Sequence, residues 1–215
     1  RGLGDVYKRQ LYDFYMDGNH LYFLIGDVSG KGIPASLFMA ITRSLFRTLS
    51  QHVLSPAKIV TEMNNSISDN NESNMFVTLI VGILDLETGI LKLCNAGHNP
   101  PILIYPDGQV SYLEFKTQIF VGVVEDFKYS DEEVVLEKES KLFLYTDGVT
   151  EAENINKELY GEEKLLEMLS DNASSDVRTT VNVVVDSIAS HVKEAEASDD
   201  LTILLIQYEP GTANS

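Results

Sequence analysis

Residues 20–40 read HLYFLIGDVSGKGIPASLFMA, and the fold can be worked out from this stretch. Its first part, residues 20–28, is a short apolar run rich in β-forming residues. The turn signal Asp17-Gly18 precedes this run, which therefore predicts a strand. Pro34 is tolerated in a first helical turn and restricts Ile33 before it, so the pair marks a boundary. Apolar residues then recur at three- and four-residue spacing, which predicts an amphipathic helix; they are Leu37, Phe38, Ile41, Leu45 and Leu49.

The rest of the chain continues this mixture of strands and helices. Hairpin-length turns join most of the predicted strands, which favours antiparallel sheets with helices packed outside. We therefore expect an α+β fold. The further predicted strands are MFVTLIVGILDL (75–86), ILKLCNA (90–96), PILIY (101–105), VSYLEF (110–115), EEVVLE (132–137), KLFLYT (141–146) and a buried final strand, LTILLIQY (201–208); the further predicted helices are at about 56–68, 161–170 and 177–193.

Composition limits the classes of function. The 215 residues include 33 acidic and 16 basic side chains, a net charge of −17, which disfavours binding to nucleic acid or to an anionic membrane. Cys94 is the only cysteine, so no internal disulfide is possible, as suits a reducing compartment. The longest apolar run, at 76–84, is far shorter than the roughly 20 residues of a membrane span. We expect a cytoplasmic domain with no direct membrane contact, whose parent protein could still be anchored through other domains.

Three aspartate motifs stand at the ends of predicted strands: Asp27 in LIGDVSGKG, Asp147 in LYTDGVTE, and Asp199-Asp200 in SDDLTILLI. A charge beside a buried strand is costly unless it has a partner. Carboxylate oxygens without sulfur ligands favour Mg²⁺ or Mn²⁺ over Zn²⁺. The alternative is that Asp-Gly pairs only form turns, and spacing alone does not decide between the two. GDVSGKG is not a phosphate-binding loop of the Walker type, because its glycine spacing does not fit.

Four ordered motifs together carry a resemblance to a known family. GDVSGKGIPASLFMA, FVTLIVGILDLETGILKLCNAGHNPPILI, LFLYTDGVTEAENINKELYGEEKLLEML and SDDLTILLI resemble the SpoIIE/RsbU-type branch of the PPM (type 2C-like) serine/threonine phosphatases, over nearly all of residues 11–208. The resemblance implies an αββα sandwich, with two central antiparallel sheets flanked by helices and two Mn²⁺ or Mg²⁺ ions at one edge. It also implies hydrolysis of phosphoserine or phosphothreonine on a bacterial partner, such as a phosphorylated STAS-type anti-sigma-factor antagonist, by a water that bridges the ions.

The resemblance also assigns roles to individual residues. Asp27, Asp147 and Asp199 match carboxylate ligands of the metals and are the expected catalytic residues. The Val28 backbone carbonyl matches a neighbouring ligand, and Asp200 stands where it can support the site. Apart from the resemblance, Lys31 could steer or bind the substrate phosphate, and a solvated loop lysine is the alternative.

Two other residues have competing explanations. His98, in NAGHNPP, could donate a proton to the leaving group. The surrounding Asn, Gly and Pro residues instead favour a structural role in a turn. Cys94 is expected to pack as a small hydrophobic side chain.

The first ten residues, RGLGDVYKRQ, depart from the family pattern. The family carries Gly-Gly-Asp-x-Tyr-Asp ahead of the GDVSGKG strand, and aligning Tyr12-Asp13 with its Tyr-Asp places Gln10 where the first Asp belongs. The same ten letters are the translation of a transposon-based sequencing-library adapter, and such segments are excluded from fold reasoning. We expect residues 1–10 to be an artefact, residues 11–208 to be the phosphatase domain without its first strand, and 209–215 to be a tail. An upstream sensor or regulatory domain would belong to the intact parent.

Two functions therefore follow from the sequence. The first is a metal-dependent phosphoprotein phosphatase, whose activity in this chain would be impaired by Gln10. The second is a catalytically silent module of the same fold that docks the same class of partner.

Overall fold

The computed structural model describes residues 11–69, 75–193, 195 and 200–210. The chain divides into two compact units. The first unit comprises the chain up to Asp85 together with Leu91–His98 and Phe115–Val134. The second unit comprises Leu86–Ile90, Asn99–Glu114 and the chain from Val135 onward.

The described residues form nine strands and four helices, whose bounds follow in chain order. They are β1 (Leu11–Asp17), β2 (His20–Val28), α1 (Ile33–Leu49), α2 (Pro56–Ser68), β3 (Val77–Asp85), β4 (Ile90–Ala96), β5 (Ile102–Ile104), β6 (Val110–Tyr112), β7 (Glu132–Val135), β8 (Lys141–Tyr145), α3 (Glu162–Asp171), α4 (Val177–Val192) and β9 (Ile203–Gln207).

The first unit is built on a five-stranded sheet in the order β1-β2-β3-β4-β7. β1 to β4 pair antiparallel with their sequence neighbours, as their short connections require. Successive side chains of a strand point to opposite faces, so β2 places Tyr22, Leu24 and Val28 on one face. These three side chains belong to a buried cluster with Phe46 of α1 and Met63 of α2. The two helices therefore cover this face of the sheet.

Both helices of the first unit begin at residues that suit a helix start. Pro34 occupies the first turn of α1, where its missing N–H costs no hydrogen bond. Ser55 caps α2 by accepting a hydrogen bond from the Lys58 backbone N–H, and the Ser55 hydroxyl donates to Asp131. These local signals explain why both helices begin where the sequence predicts.

The second unit contains a four-stranded sheet in the order β6-β5-β8-β9, with antiparallel pairing throughout. Phe143 and Tyr145 of β8 point into a buried cluster with Leu165 of α3 and Val184 of α4. The N-terminus of α4 is capped by Asp176, whose carboxylate accepts hydrogen bonds from two backbone N–H groups. The α+β class with antiparallel sheets is thus confirmed.

The structure differs from the sequence prediction at two strands. The sequence predicts no strand at residues 11–17, yet these residues form β1. The buried face of β1 includes the charged Asp13 while Tyr12, Phe14 and Met16 are exposed, so the usual alternation is inverted. The prediction that the final strand is buried is wrong, because β9 is only half-buried along its length. Among the described residues β9 pairs with β8 alone and is therefore an edge strand of its sheet.

Two further observations bear on the expectations for the chain. Within the described residues, no helix is long and apolar enough to cross a membrane. The predicted artefact at 1–10, with Gln10, lies outside the described residues.

Candidate active site

Asp27 is the next-to-last residue of β2, at the end of a buried run in the first unit. Its register partner on β3 is Thr78. The two strands approach closely here, since a Cβ added at Gly26 would lie 2.5 Å from the Thr78 carbonyl oxygen. Glycine at position 26 is therefore required by packing, and it brings the Asp27 backbone tightly against β3. Asp27 itself is half-buried, whereas the Val28 side chain is fully buried.

The loop that follows Asp27 is tied down at one end and turns sharply at the other. The Ser29 backbone N–H donates to the Phe76 carbonyl (2.9 Å), and the Phe76 N–H donates to the Ser29 hydroxyl (2.8 Å). Gly30 and Gly32 adopt φ angles of 84° and 77°, which favour glycine. Lys31 lies exposed between them. The loop therefore presents a cation close in sequence to Asp27.

His98 lies in a locked turn at the end of β4. The Asn95 side chain accepts from the His98 N–H (2.8 Å) and donates to the His98 carbonyl (3.0 Å). His98 Nδ1 and Thr78 Oγ1 share a hydrogen bond of 3.0 Å. His98 is 4% exposed. These contacts agree with the structural explanation that the turn residues favour.

Asp13, which aligns with the second aspartate of the family's first motif, is held by two arginines of α1. Its carboxylate accepts hydrogen bonds from Arg47 Nε (2.6 Å) and Nη2 (2.5 Å) and from Arg43 Nε (3.1 Å). Burial raises the pKa of Asp13, but the hydrogen bonds and charges of Arg47 and Arg43 outweigh burial and hold this pKa below its ordinary value. Asp13 therefore links β1 to α1 through its ion pairs with the two arginines.

Cys94 of β4 is fully buried in the core cluster of the first unit. Burial raises the pKa of its thiol to about 12, with the charge of Asp131 adding to the effect. The expectation that Cys94 packs as a small hydrophobic side chain is confirmed.

In the second unit, Asp147 follows β8 in a compact turn. The Asp147 carbonyl accepts hydrogen bonds from the Glu151 N–H and the Thr150 hydroxyl. A Cβ added at Gly148 would collide with the carbonyl oxygen of Asp200. The turn after β8 thus packs backbone against backbone on the segment that leads into β9.

Thr146 forms hydrogen bonds between the turn after β8 and the segment that leads into β9. Its hydroxyl donates to the Asp200 carbonyl (3.2 Å) and accepts from the Thr202 N–H (3.1 Å), and its own N–H donates to the Thr202 carbonyl (3.1 Å). The structure therefore brings Asp147 and Asp200 into adjoining segments of the second unit. Asp27, Val28 and Lys31 belong to the first unit, and Asp199 lies outside the described residues.

The donor chemistry of these residues fits a hard divalent cation. Carboxylates and a backbone carbonyl are the oxygen ligands that Mg²⁺ and Mn²⁺ prefer. The close backbone approach at Gly148 and the hydrogen bonds of Thr146 keep the Asp147 segment next to Asp200. Among the residues that the structure describes, which omit Asp199, no group of three or more His, Cys, Asp or Glu side chains is assembled for a metal ion.

Sequence reasoning missed the supporting residues of the site. Thr78 and Thr146 are ordinary strand-forming residues, and nothing near them in the chain signals their partners. Asn95 had a usable signal, because Asn three residues before His98 in a glycine-containing turn is typical of a side chain that bonds to the backbone.

Comparison with known proteins identifies a family model and several relatives of the chain. A family model described as stage II sporulation protein E (SpoIIE) matches residues 17–209. The phosphoserine phosphatase RsbU of Bacillus subtilis is 26% identical over 197 residues, which cover 91% of this chain and 58% of RsbU. This chain spans 35% to 58% of the lengths of three curated relatives, RsbU among them.

Solved structures share the fold at lower sequence identity. The SiaA-PP2C domain of Pseudomonas aeruginosa has a TM-score of 0.84 and 20% identity, over 94% of this chain and 81% of that domain. RsbX in complex with magnesium has a TM-score of 0.70 and 18% identity, over 95% of this chain and 89% of RsbX. The fold is therefore that of the PP2C phosphatase domains. Because the family model extends over residues 17–209 and includes the motifs of Asp27 and Asp147, this chain belongs to the SpoIIE family.

Proposed function

We propose that this chain is the catalytic domain of a Mn²⁺- or Mg²⁺-dependent phosphoprotein phosphatase. Its substrate would be phosphoserine or phosphothreonine on a bacterial regulatory protein, a phosphorylated STAS-type anti-sigma-factor antagonist or a similar phosphoprotein. The name of the relative RsbU, a phosphoserine phosphatase, supports the reaction class. The substrate class rests on the resemblance of the four motifs.

One observation carries the proposal: oxygen donors stand at the ends of buried strands in a chain of this family. Asp27 and Val28 end β2, and Asp147 follows β8 in a turn packed against Asp200. With Asp199, these residues would hold two ions. Bound divalent cations lower the pKa of water and neutralise charge on phosphoryl oxygens, which this slow hydrolysis requires.

The chain's own residues would bind and orient the phosphoprotein. Lys31, exposed between two glycines after Asp27, would pair with a phosphate oxygen by a charge-assisted hydrogen bond. In the reaction, a water oxygen forms a bond to phosphorus and the bond between phosphorus and the serine oxygen breaks. The serine leaves as an alcohol after gaining a proton, and inorganic phosphate is released.

The proposal is tested by phosphate release from a phosphoserine-containing STAS protein, with Mn²⁺ and with EDTA. We expect Mn²⁺-dependent release that EDTA abolishes. It should be weak in the chain as written and stronger in the Lys8→Gly/Arg9→Gly/Gln10→Asp variant, which restores the family's first motif. The Asp147→Asn variant should lose at least about a hundredfold in rate, since even outer partners of a metal site typically contribute 10–100-fold.

Asp107→Asn is the matched control, because Asp107 also precedes a glycine in a turn of the second unit, where its carboxylate accepts the Gln109 N–H. Asp107→Asn should keep the activity of its parent. Equal activity of the two variants would refute the assignment of Asp147. Binding of the phosphoprotein without any release, in the restored variant with Mn²⁺, would instead support a silent docking module.

A further inference from the structure

A small polar cluster shares the face of the first unit's sheet that carries Asp27. Strand alternation places Phe23, Ile25 and Asp27 opposite the face that α1 and α2 cover. The cluster consists of Thr78 on β3, Asn95 on β4 and the turn residue His98. The cluster therefore places polar side chains on an otherwise apolar face, beside the strand end that carries Asp27.

Thr78 is the nearest cross-strand neighbour of Asp27. The two residues are directly opposed in the antiparallel pair of β2 and β3, so their side chains stand on the same face. In such pairs the Cβ atoms are about 4.5–5.5 Å apart. A rotatable hydroxyl on Thr78 is therefore within reach of the Asp27 carboxylate.

That hydroxyl is already engaged by His98, 3.0 Å away at Nδ1. The histidine is held in place from several sides, because Asn95 binds both its N–H and its carbonyl. Gly97 has a φ of 77° and packs on the ring of Phe120, where no Cβ would fit. A buried ring in a turn fixed this firmly keeps its orientation at little entropic cost.

We propose that His98 is a positioning residue. Its Nδ1 accepts a hydrogen bond from the Thr78 hydroxyl, and this bond keeps the hydroxyl from donating to Asp27. The Thr78 hydroxyl then does not compete with a divalent cation for the Asp27 carboxylate. Without His98, the Thr78 hydroxyl turns to Asp27 and competes with the cation for the same oxygens. The inference rests on the proposed role of Asp27 as a ligand, and His98 itself touches neither substrate nor ion.

The test measures Mn²⁺ binding by electron paramagnetic resonance of the free ion, without substrate, in the 215-residue chain. We expect His98→Leu to raise the Mn²⁺ dissociation constant about tenfold or more, as loss of an outer partner typically does. Thr78→Val should stay close to the parent, and adding it to His98→Leu should restore the parent's affinity. His98→Asn, which keeps a polar group near the Nδ1 position, should resemble the parent.

His52→Asn is the matched control, because His52 is 87% exposed and pairs with Asp17 on the surface. It should leave Mn²⁺ binding unchanged. An unchanged His98→Leu variant, or a loss that persists in the double variant, would overturn the proposal.

A second measurement uses the parent chain, so it does not depend on whether a His98 variant folds. In the parent, ¹⁵N chemical shifts at pH 7 should show His98 as the neutral form protonated at Nε2. A proton on Nδ1 would overturn the proposal, since the Thr78 hydroxyl would then be an acceptor.

The outcomes separate this inference from the proposed function. Mn²⁺ binding with the expected variant pattern, but without phosphate release, would refute the phosphatase proposal alone. Phosphate release with Mn²⁺ affinity indifferent to His98 would refute this inference alone. Absence of Mn²⁺ binding both in the parent chain and in the Lys8→Gly/Arg9→Gly/Gln10→Asp variant would refute both.

Discussion

The ion pair between β1 and α1 allows a quantitative prediction for Asp13→Asn. Asp13 is 4% exposed, while the side chains of Arg43 and Arg47 are 59% and 43% exposed. Removing one partner from a fully buried pair costs about 3–5 kcal/mol, and exposed pairs contribute about 0.2–1 kcal/mol. Here the carboxylate is buried, but the guanidinium groups are half in water, and asparagine keeps one hydrogen-bond acceptor. We therefore expect Asp13→Asn to lower the free energy of unfolding by about 2 kcal/mol at pH 7.

The pH dependence of this loss has a definite sign. The pKa of Asp13 is lowered below 3.8 in the folded state. Its stabilisation is therefore complete above the unfolded pKa and is lost as the pH falls through the folded pKa. The difference between parent and variant should stay constant from pH 7 down to about 5 and shrink below 3.8.

The assay is urea unfolding at a series of pH values. Asp17→Asn is the control, because Asp17 lies on the same strand and pairs with the exposed His52. That variant should lose less than about 0.5 kcal/mol. Equal losses in the two variants, or an Asp13→Asn loss that persists undiminished at pH 3, would refute the assignment of a stabilising buried ion pair.

Two further predictions concern β4 and its turn. Gly97→Ala should destabilise the chain by about 2 kcal/mol or more, because the φ of 77° and the Phe120 ring both oppose a Cβ. Gly18→Ala, with a φ of 58° and open space around it, should lose only about 1 kcal/mol in the same urea assay; equal losses would exclude the Phe120 contact as the cause. Cys94, with its pKa raised to about 12, should resist a thiol reagent such as DTNB at pH 8 and react only in urea. Rapid modification of the folded chain would show that the thiol is not sealed from solvent.

The sequence by itself determined most of the elements, because their signals are local. The three- and four-residue spacing and Pro34 set the start of α1, and the apolar run before Asp27 set β2. The motifs of Asp27 and Asp147 were also readable, since an aspartate beside glycine at a strand end is a pattern of adjacent residues. The strand β1 was not found, because its buried side includes Asp13, a charge that hydrophobic patterning counts as exposed.

Only the tertiary structure decided what surrounds these aspartates. Asp13 pairs with Arg43 and Arg47, which lie 30 and 34 residues away in sequence, and the direction of its pKa shift follows from them. The register of β2 and β3 places Thr78 opposite Asp27. A shift of that register by one residue would turn Thr78 to the other face. Local periodicity predicts that strands form but not which residues face each other, because that pairing is fixed by the packing of the whole sheet.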